Sequence, residues 1–247
     1  ATLILSLTFV VCPESTATDC KKTSMFISDA NITKMPIFAV KIQPILNIVM
    51  TRKEELEQNP ALRQELDKMM AGLPYDAHTP EMYAYRDEVK KLLRRLNITE
   101  YHEPSMRDIL HELLPNCAPD VYFEPPFYCD YGSLIHAQEG VFVNFGCTVL
   151  DGGGVYIGRH TLIAPSVNIF TAGHPLDADE RDHWEYCKPV HIGERCWIGG
   201  GVTICPGVTI GDRSVIGAGA VVVHDIPADS LAVGNPARVI RKLNVKE

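Results

Sequence analysis

Between Ile192 and Val222 a bulky aliphatic residue returns at every sixth position: Ile192, Ile198, Ile204, Ile210, Ile216 and Val222. An α-helix repeats near 3.6 residues and an extended strand near two, so neither produces this period. A unit this short must be one side of a coil. Each aliphatic residue is followed by Gly193, Gly199, Cys205, Gly211, Gly217 or Val223, and two positions before each stands Val190, Cys196, Val202, Val208, Ser214 or Ala220. The pattern predicts one short strand per side and one tight turn per corner, where Gly, Asp and Asn take left-handed backbone angles at little cost. Three sides close a coil, so each aliphatic side chain points into a narrow prism and stacks on its equivalent eighteen residues away. Parallel strands on successive coils satisfy one another's backbone groups, and the stacked Ile and Val fill the interior. An antiparallel β-sandwich would allow local alternation but not six consecutive matches at one spacing.

The spacing recurs earlier with less regularity. Phe123, Cys129, Ile135, Val141 and Cys147 are six apart, Val143, Val149 and Val155 follow in a second phase, and Ile157, Ile163 and Ile169 resume. The breaks in phase mark insertions between coils, one near Asp151 to Gly154 and a larger one over residues 170–189. Loops on a rigid solenoid are where function concentrates. Three helices are expected before the coils. Thr51 and Glu54 have capping-box spacing, Leu56, Leu62, Leu66, Met69 and Met70 form an irregular apolar stripe, and Gly72 to Pro74 ends the helix. Thr79 caps a second helix with Pro80 at its first position. Tyr85, Val89, Leu92, Leu93 and Leu96 form its apolar face, and Arg86, Asp87, Lys90, Arg94 and Arg95 the opposite one. A third helix runs from about Ser105 to Leu114, with Ile109, Leu110, Leu113 and Leu114 inward, and Pro115 stops it.

A net charge of −8 argues against general attraction to nucleic acid or anionic membranes, though a local basic patch remains able to hold an anionic cofactor. The eight cysteines are too dispersed for a compact disulfide framework and form no zinc knuckle, which favours a reducing, cytoplasmic setting without a metal. The apolar run from Ala1 to Cys12 leaves a secretory leader open but is too short to span a bilayer.

Several segments carry a resemblance. They are LPYDA (73–77), YGSLIHAQEGVFVNFGCTVLD (131–151), IGRHTLIAPSVNIFTAGHP (157–175), the stretch 188–227, and GNPARVIRKL (234–243). Together they are similar to the hexapeptide-repeat acyltransferases, and in particular to the maltose and galactoside O-acetyltransferase branch. The resemblance implies a mainly β fold: a left-handed parallel β-helix with a small helical domain before it. It divides the chain into a leader or extension (1–49), a helical acceptor-side domain (50–115), a β-helix with loop 170–189 (116–235) and a tail on the coenzyme A side (236–247). It also implies a homotrimer with active sites between subunits, acetyl-CoA as co-substrate and a sugar acceptor. Flat prism faces suit repeated self-association. Other transferases of the same fold act on serine, amino sugars, lipo-oligosaccharides or antibiotics, and a non-catalytic trimeric scaffold is the bland alternative.

By resemblance, His174 is the catalytic base; an imidazole can take the proton of a sugar hydroxyl as it attacks a thioester. Asn144 carries over as a residue holding the acceptor or the reacting group, or else as a corner residue. Asp76 and Asp151 carry over as acceptor-site acids, carboxylates being able to accept several hydrogen bonds, or else as cap or turn residues. Glu185 orients His174 or orders the loop. The stretch Gly199 to Gly201 is expected to supply a backbone N–H to the oxyanion, with Gly200 allowing close approach. Trp197 is read as a packing or subunit-contact residue. Ala218 would pass the pantetheine arm, while Arg238 and Arg241, with Lys242 beside them, would meet the phosphates.

Relatives often carry Thr-Lys where this chain has Val223 and His224. His224 supplies a positive charge to the phosphates only when protonated, so coenzyme A affinity is expected to fall as pH rises. Competition of desulfo-CoA against acetyl-CoA at pH 5.5 and pH 8 checks this, and a pH-independent dissociation constant contradicts it.

Overall fold

The computed structural model describes residues 59–100 and 103–243, all within one compact unit, Val49–Glu247. The leader through residue 49 and the Thr51/Glu54 capping box lie outside the described residues. The helix carrying Leu62, Leu66 and Met69 is α1, Pro60–Met70. Its cap is Asn59, whose side chain accepts the Leu62 N–H at 3.1 Å, with Pro60 in the first helical position. Helix α2, Pro80–Ile98, starts as expected at Thr79, whose hydroxyl accepts the Met82 N–H at 3.3 Å. Helix α3, Pro104–Leu113, buries Met106, Ile109, Leu110 and Leu113. All three helices turn their apolar stripes into the same core that fills the coils.

That core belongs to a left-handed β-solenoid with three faces. Face I stacks Tyr122–Phe123, Phe142–Val143, Leu162–Ile163, Trp197–Ile198, Val215–Ile216 and Ser230–Val233. Face II stacks Tyr128–Cys129, Thr148–Leu150, Asn168–Phe170, Thr203–Ile204 and Val221–Val222. Face III stacks Ile135–Ala137, Val155–Ile157, Val190–Ile192 and Thr209–Ile210. Every rung between successive coils is parallel. Only the end strand Arg238–Lys242, which folds back antiparallel on Ser230–Val233, breaks this order within the three faces. The six residues of the regular repeat are all buried, and so are the six that stand two positions before them. Ser214, the one hydroxyl in the second set, donates to Pro227 O at 2.9 Å and accepts the Ser230 N–H, so its burial leaves nothing unpaired.

Ile192 pairs with Ile210 eighteen positions on, as the repeat requires, but Val143 stacks on Phe123 and Ile163 on Val143 at twenty. The two extra residues enter at the corner between faces II and III. In these coils the face III strands are three residues long and bury both Ile135 and Ala137, or both Val155 and Ile157. Val141 and Cys147 are therefore corner residues, and their match to the Phe123 series is a coincidence of this phase slip; Val143 and Val149 occupy the strand positions. Residues 170–189 leave the third coil at the same corner, and the last coil is two residues short there, with Ile226 bridging Ile210. All changes of coil length thus fall on one edge.

Other corners are tight. A Cβ on Gly211 would lie 2.3 Å from Ala228 N, and one on Gly193 2.6 Å from Asp212 N. Outside face III, His136, Tyr156 and His191 stack with ring centroids 4.8 and 4.7 Å apart, each ring covering the next. No helix among the described residues is long and apolar enough to cross a membrane.

Truncating one rung of the inner stack should cost far more than trimming its outward neighbour. Ile204→Ala is expected to lose about 2–5 kcal/mol of stability and Thr203→Ala about 0.5 kcal/mol or less, measured by chemical denaturation.

Candidate active site

Most of the residues singled out in the sequence fall on the two edges that bound face II. His174, Glu185, Asp151, Val223 and His224 belong to the edge between faces II and III, with Asp76 on the segment packed against it. Asn144, Gly200 and Ala218 belong to the edge between faces I and II. Arg238 and Arg241 stand on the terminal strand of face I.

The II–III edge is built around the base of the long loop. Ala172–Gly173 and Tyr186–Cys187 form an antiparallel ribbon in which Gly173 faces Tyr186. His174 and Glu185 are the next residue on each strand. A third strand-like segment joins them: Tyr75 N donates to Glu185 O at 3.2 Å, Glu185 N donates to Tyr75 O at 3.3 Å, and the Tyr75 hydroxyl donates to the Glu185 carboxylate at 3.1 Å. These contacts tie the loop to the helical segment through Glu185. His174 is exposed, and its ring has no hydrogen-bond partner among the described residues of the protomer. Asp76 accepts the His78 N–H at 2.7 Å, a turn role, while its carboxylate stays exposed.

A cavity of about 200 Å³ opens on this edge, lined by Tyr75, Arg86, Asp130, Tyr131, Ala172 and Glu185 among others. Three of these were not read from the sequence. Arg86 was assigned to the solvent face of its helix. Instead it follows Met82 by four positions and precedes Val89 by three, which places it along the buried stripe. Its guanidinium donates to the Tyr131 hydroxyl at 3.1 Å and to Ala77 O at 2.6 Å. Burial raises the Asp130 carboxyl above the usual carboxylate range, and the positive charge of Arg86 opposes that rise. Burial also pushes the Cys187 thiol up to about 11, which makes it a poor nucleophile. Asp130 and Tyr131 lie in the two-residue corner insertion, the signal that could have found them.

Asp151 corrects an expectation. It is fully buried, so within the protomer it cannot be a direct acceptor ligand. One carboxylate oxygen accepts the N–H groups of Asp130 and Tyr131 at 3.1 and 2.9 Å and so pins the corner that lines the cavity. Its second oxygen has no hydrogen-bond partner among the described residues.

The I–II edge is smooth. Asn144 accepts the Phe145 N–H with its own side chain, a corner role. Gly199 must be glycine, since a Cβ would meet Ala218 N at 2.6 Å. Nothing stands within 4 Å of a Cβ placed on Gly201 or Gly219, and Ala218 is exposed, so the strip is open to a thin chain. The Gly199 and Gly201 N–H groups donate to Ile216 O and Pro165 O. No acceptor among the described residues takes the N–H of Gly200, so of the three glycines it alone keeps an uncommitted N–H. On the end strand, Arg238 faces Val233 and Arg241 faces Leu231 across a bulge, so two arginines three apart project from one side. Lys242 donates to Ala228 O and Ser230 Oγ; it fastens the strand and does not extend the arginine patch. Val223 and His224 are exposed on the II–III edge. No group of three or more His, Cys, Asp or Glu among the described residues is arranged to hold a metal ion.

Burial, with a smaller contribution from the Asp130 charge, raises the Asp151 carboxyl from the ordinary 3.8 to about 6. Between those values the native state holds a proton that the unfolded chain has lost, so stability falls as pH rises through the window and levels off above it. Asp151→Asn removes the titration while keeping an oxygen for the two N–H groups. Measured by denaturation at pH 4.5 and 7.5, the variant should gain about 2 kcal/mol relative to the parent over the interval. A pH-independent difference would refute the buried charge.

Residues 189–224 match the family model described as bacterial transferase hexapeptide (six repeats), and residues 68–118 match the maltose acetyltransferase hexapeptide capping motif. The chain is 42% identical over 179 residues to nodulation protein L of Rhizobium meliloti, covering 72% of this chain and 98% of that one. Among solved structures it resembles a maltose O-acetyltransferase from Clostridium difficile 630, at 45% identity and a TM-score of 0.71, covering 73% of this chain and 98% of that one. It also resembles a hexapeptide-repeat-containing acetyltransferase of Vibrio cholerae complexed with acetyl coenzyme A, at 38% identity and a TM-score of 0.68, covering 73% and 99%. The repeat, the helical cap and relatives matched over nearly their whole length lead to one conclusion: this chain belongs to the hexapeptide-repeat acetyltransferase family, related to the maltose and galactoside O-acetyltransferases.

Proposed function

We propose that this acetyl-CoA-dependent acetyltransferase transfers the acetyl group directly to a sugar hydroxyl, with His174 as general base, at sites shared between the subunits of a homotrimer. The observation that carries the reading is the position of His174. It stands one residue beyond the loop-base ribbon, two residues from Ala172, which lines the polar cavity of the II–III edge.

A sugar hydroxyl is a weak nucleophile at neutral pH. The imidazole of His174 takes its proton as the oxygen attacks the thioester carbonyl, which creates a tetrahedral oxyanion. The uncommitted N–H of Gly200 is suited to stabilise that charge. Collapse expels the coenzyme A thiolate, and His174 returns the proton to it. The acceptor ring belongs in the cavity with Arg86, Asp130 and Glu185, whose fixed donors and acceptors match a rim of hydroxyls. The pantetheine arm belongs on the open strip past Gly200 and Ala218, and the phosphates belong with Arg238 and Arg241. Buried cysteines with raised thiol pKa values argue against an acyl-cysteine intermediate.

Two features support sharing between copies. The base and the oxyanion donor lie on opposite edges of face II, and Trp197 is 57% exposed on the outside of face I. His174→Ala should lower kcat by about 10²–10⁴, read as coenzyme A release with maltose, glucose, galactosides, serine and chloramphenicol as acceptors. A variant keeping more than about a tenth of kcat, well outside that range, would overturn the assignment, and turnover confined to serine or chloramphenicol would overturn the sugar.

A further inference from the structure

Tyr83, in the first turn of α2, is 47% exposed and lines the edge of the cavity, yet it is held at two points. Its hydroxyl shares a hydrogen bond of 2.7 Å with His78 Nδ1. The Arg86 guanidinium, itself fixed to Tyr131 and Ala77, lies 5.1 Å from the ring centroid. His78 is in turn seated by Asp76. With its hydroxyl engaged and its position fixed, the phenol ring offers a ligand mainly an open aromatic surface. Little conformational freedom is then lost when something stacks on it.

The cavity beside it measures about 200 Å³, less than the roughly 300–1,000 Å³ of pockets that enclose a drug-sized ligand. One sugar ring fills it, and anything attached to that ring must leave over the rim. A pyranose has a polar edge and an apolar C–H face, and that face suits the electron-rich face of an aromatic ring. We propose that Tyr83 is the stacking platform for a second ring, so that the favoured acceptor is a disaccharide or longer glycoside, acetylated on the ring held in the cavity. This rests on the sugar-acceptor reading above and adds what that reading leaves open, the length of the acceptor.

The test compares kcat/KM for matched pairs, maltose against glucose and lactose against galactose, in the parent, Tyr83→Ala, Tyr83→Phe and Tyr83→Trp. The two-ring to one-ring ratio should fall about tenfold in Tyr83→Ala, the size of one aromatic contact, through a higher KM for the two-ring sugar. It should stay within about twofold in Tyr83→Phe and Tyr83→Trp, which keep a ring face. An unchanged ratio in Tyr83→Ala overturns the platform. An equal fall in Tyr83→Phe also overturns it, because the hydrogen bond to His78 would then be the cause. If the parent acetylates no sugar of either length, it is the underlying function that fails. If it acetylates both and the ratios do not move, only the platform fails.

Discussion

Ile163, Ile198 and Ile216 lie one above another inside face I, each on a strand hydrogen-bonded to the next. The contact exists only while every coil returns to the same register. A slip of one residue would turn an inward side chain to solvent and leave a hole in a prism too narrow to repack. Extra residues therefore cannot be absorbed within a strand. They must leave at a corner, and in this chain they all leave at the corner between faces II and III. The tight stacking of the interior is thus what concentrates irregular, polar chain on one edge, the only part of the solenoid free to vary.

That edge gathers charge as a consequence. Its insertions bring Asp130 and Asp151 close together under the loop, with Glu185 at the loop base, and burial raises the first two carboxyls. One guanidinium, Arg86, comes from the helical segment to oppose them. Tyr75 secures the same segment through backbone and hydroxyl contacts to Glu185. The helices therefore do more than cover the open end of the core. They deliver a cation, Arg86, and two phenols, Tyr75 and Tyr83, the first of which is the anchor, to a corner whose own residues are acidic.

The period of six made the coils legible, because nothing else in a protein repeats that way. The helix start at Thr79 and the inward residues of α2 and α3 were legible for the same reason: a cap and a stripe are local signals. What escaped were features set by contacts across the fold. Val141 and Cys147 mimic the strand series because a two-residue slip places corner residues on its phase. Arg86 looked solvent-facing because its charge outweighed its place between Met82 and Val89. Asp151 carried a family role on its identity alone, and only the packing of the corner shows it sealed beneath Asp130 and Tyr131. The bulge that aligns Arg238 with Arg241 has no sequence mark, since a spacing of three on a regular strand would put them on opposite sides.

The proposed division of the site between two edges bears on how a solenoid can be an enzyme at all. Acyl transfer needs a base and an oxyanion donor converging on a single carbonyl. On one protomer His174 and the free N–H of Gly200 are separated by a full side of the prism, and a prism face is flat. A flat face offers neither convergence nor exclusion of water. Two copies set edge to face create a concave wall without altering either core. The proposed sharing of the site is thus the simplest way for a rod whose interior tolerates no change to enclose a reaction, and it makes the exposed Trp197 and the open glycine strip parts of one surface.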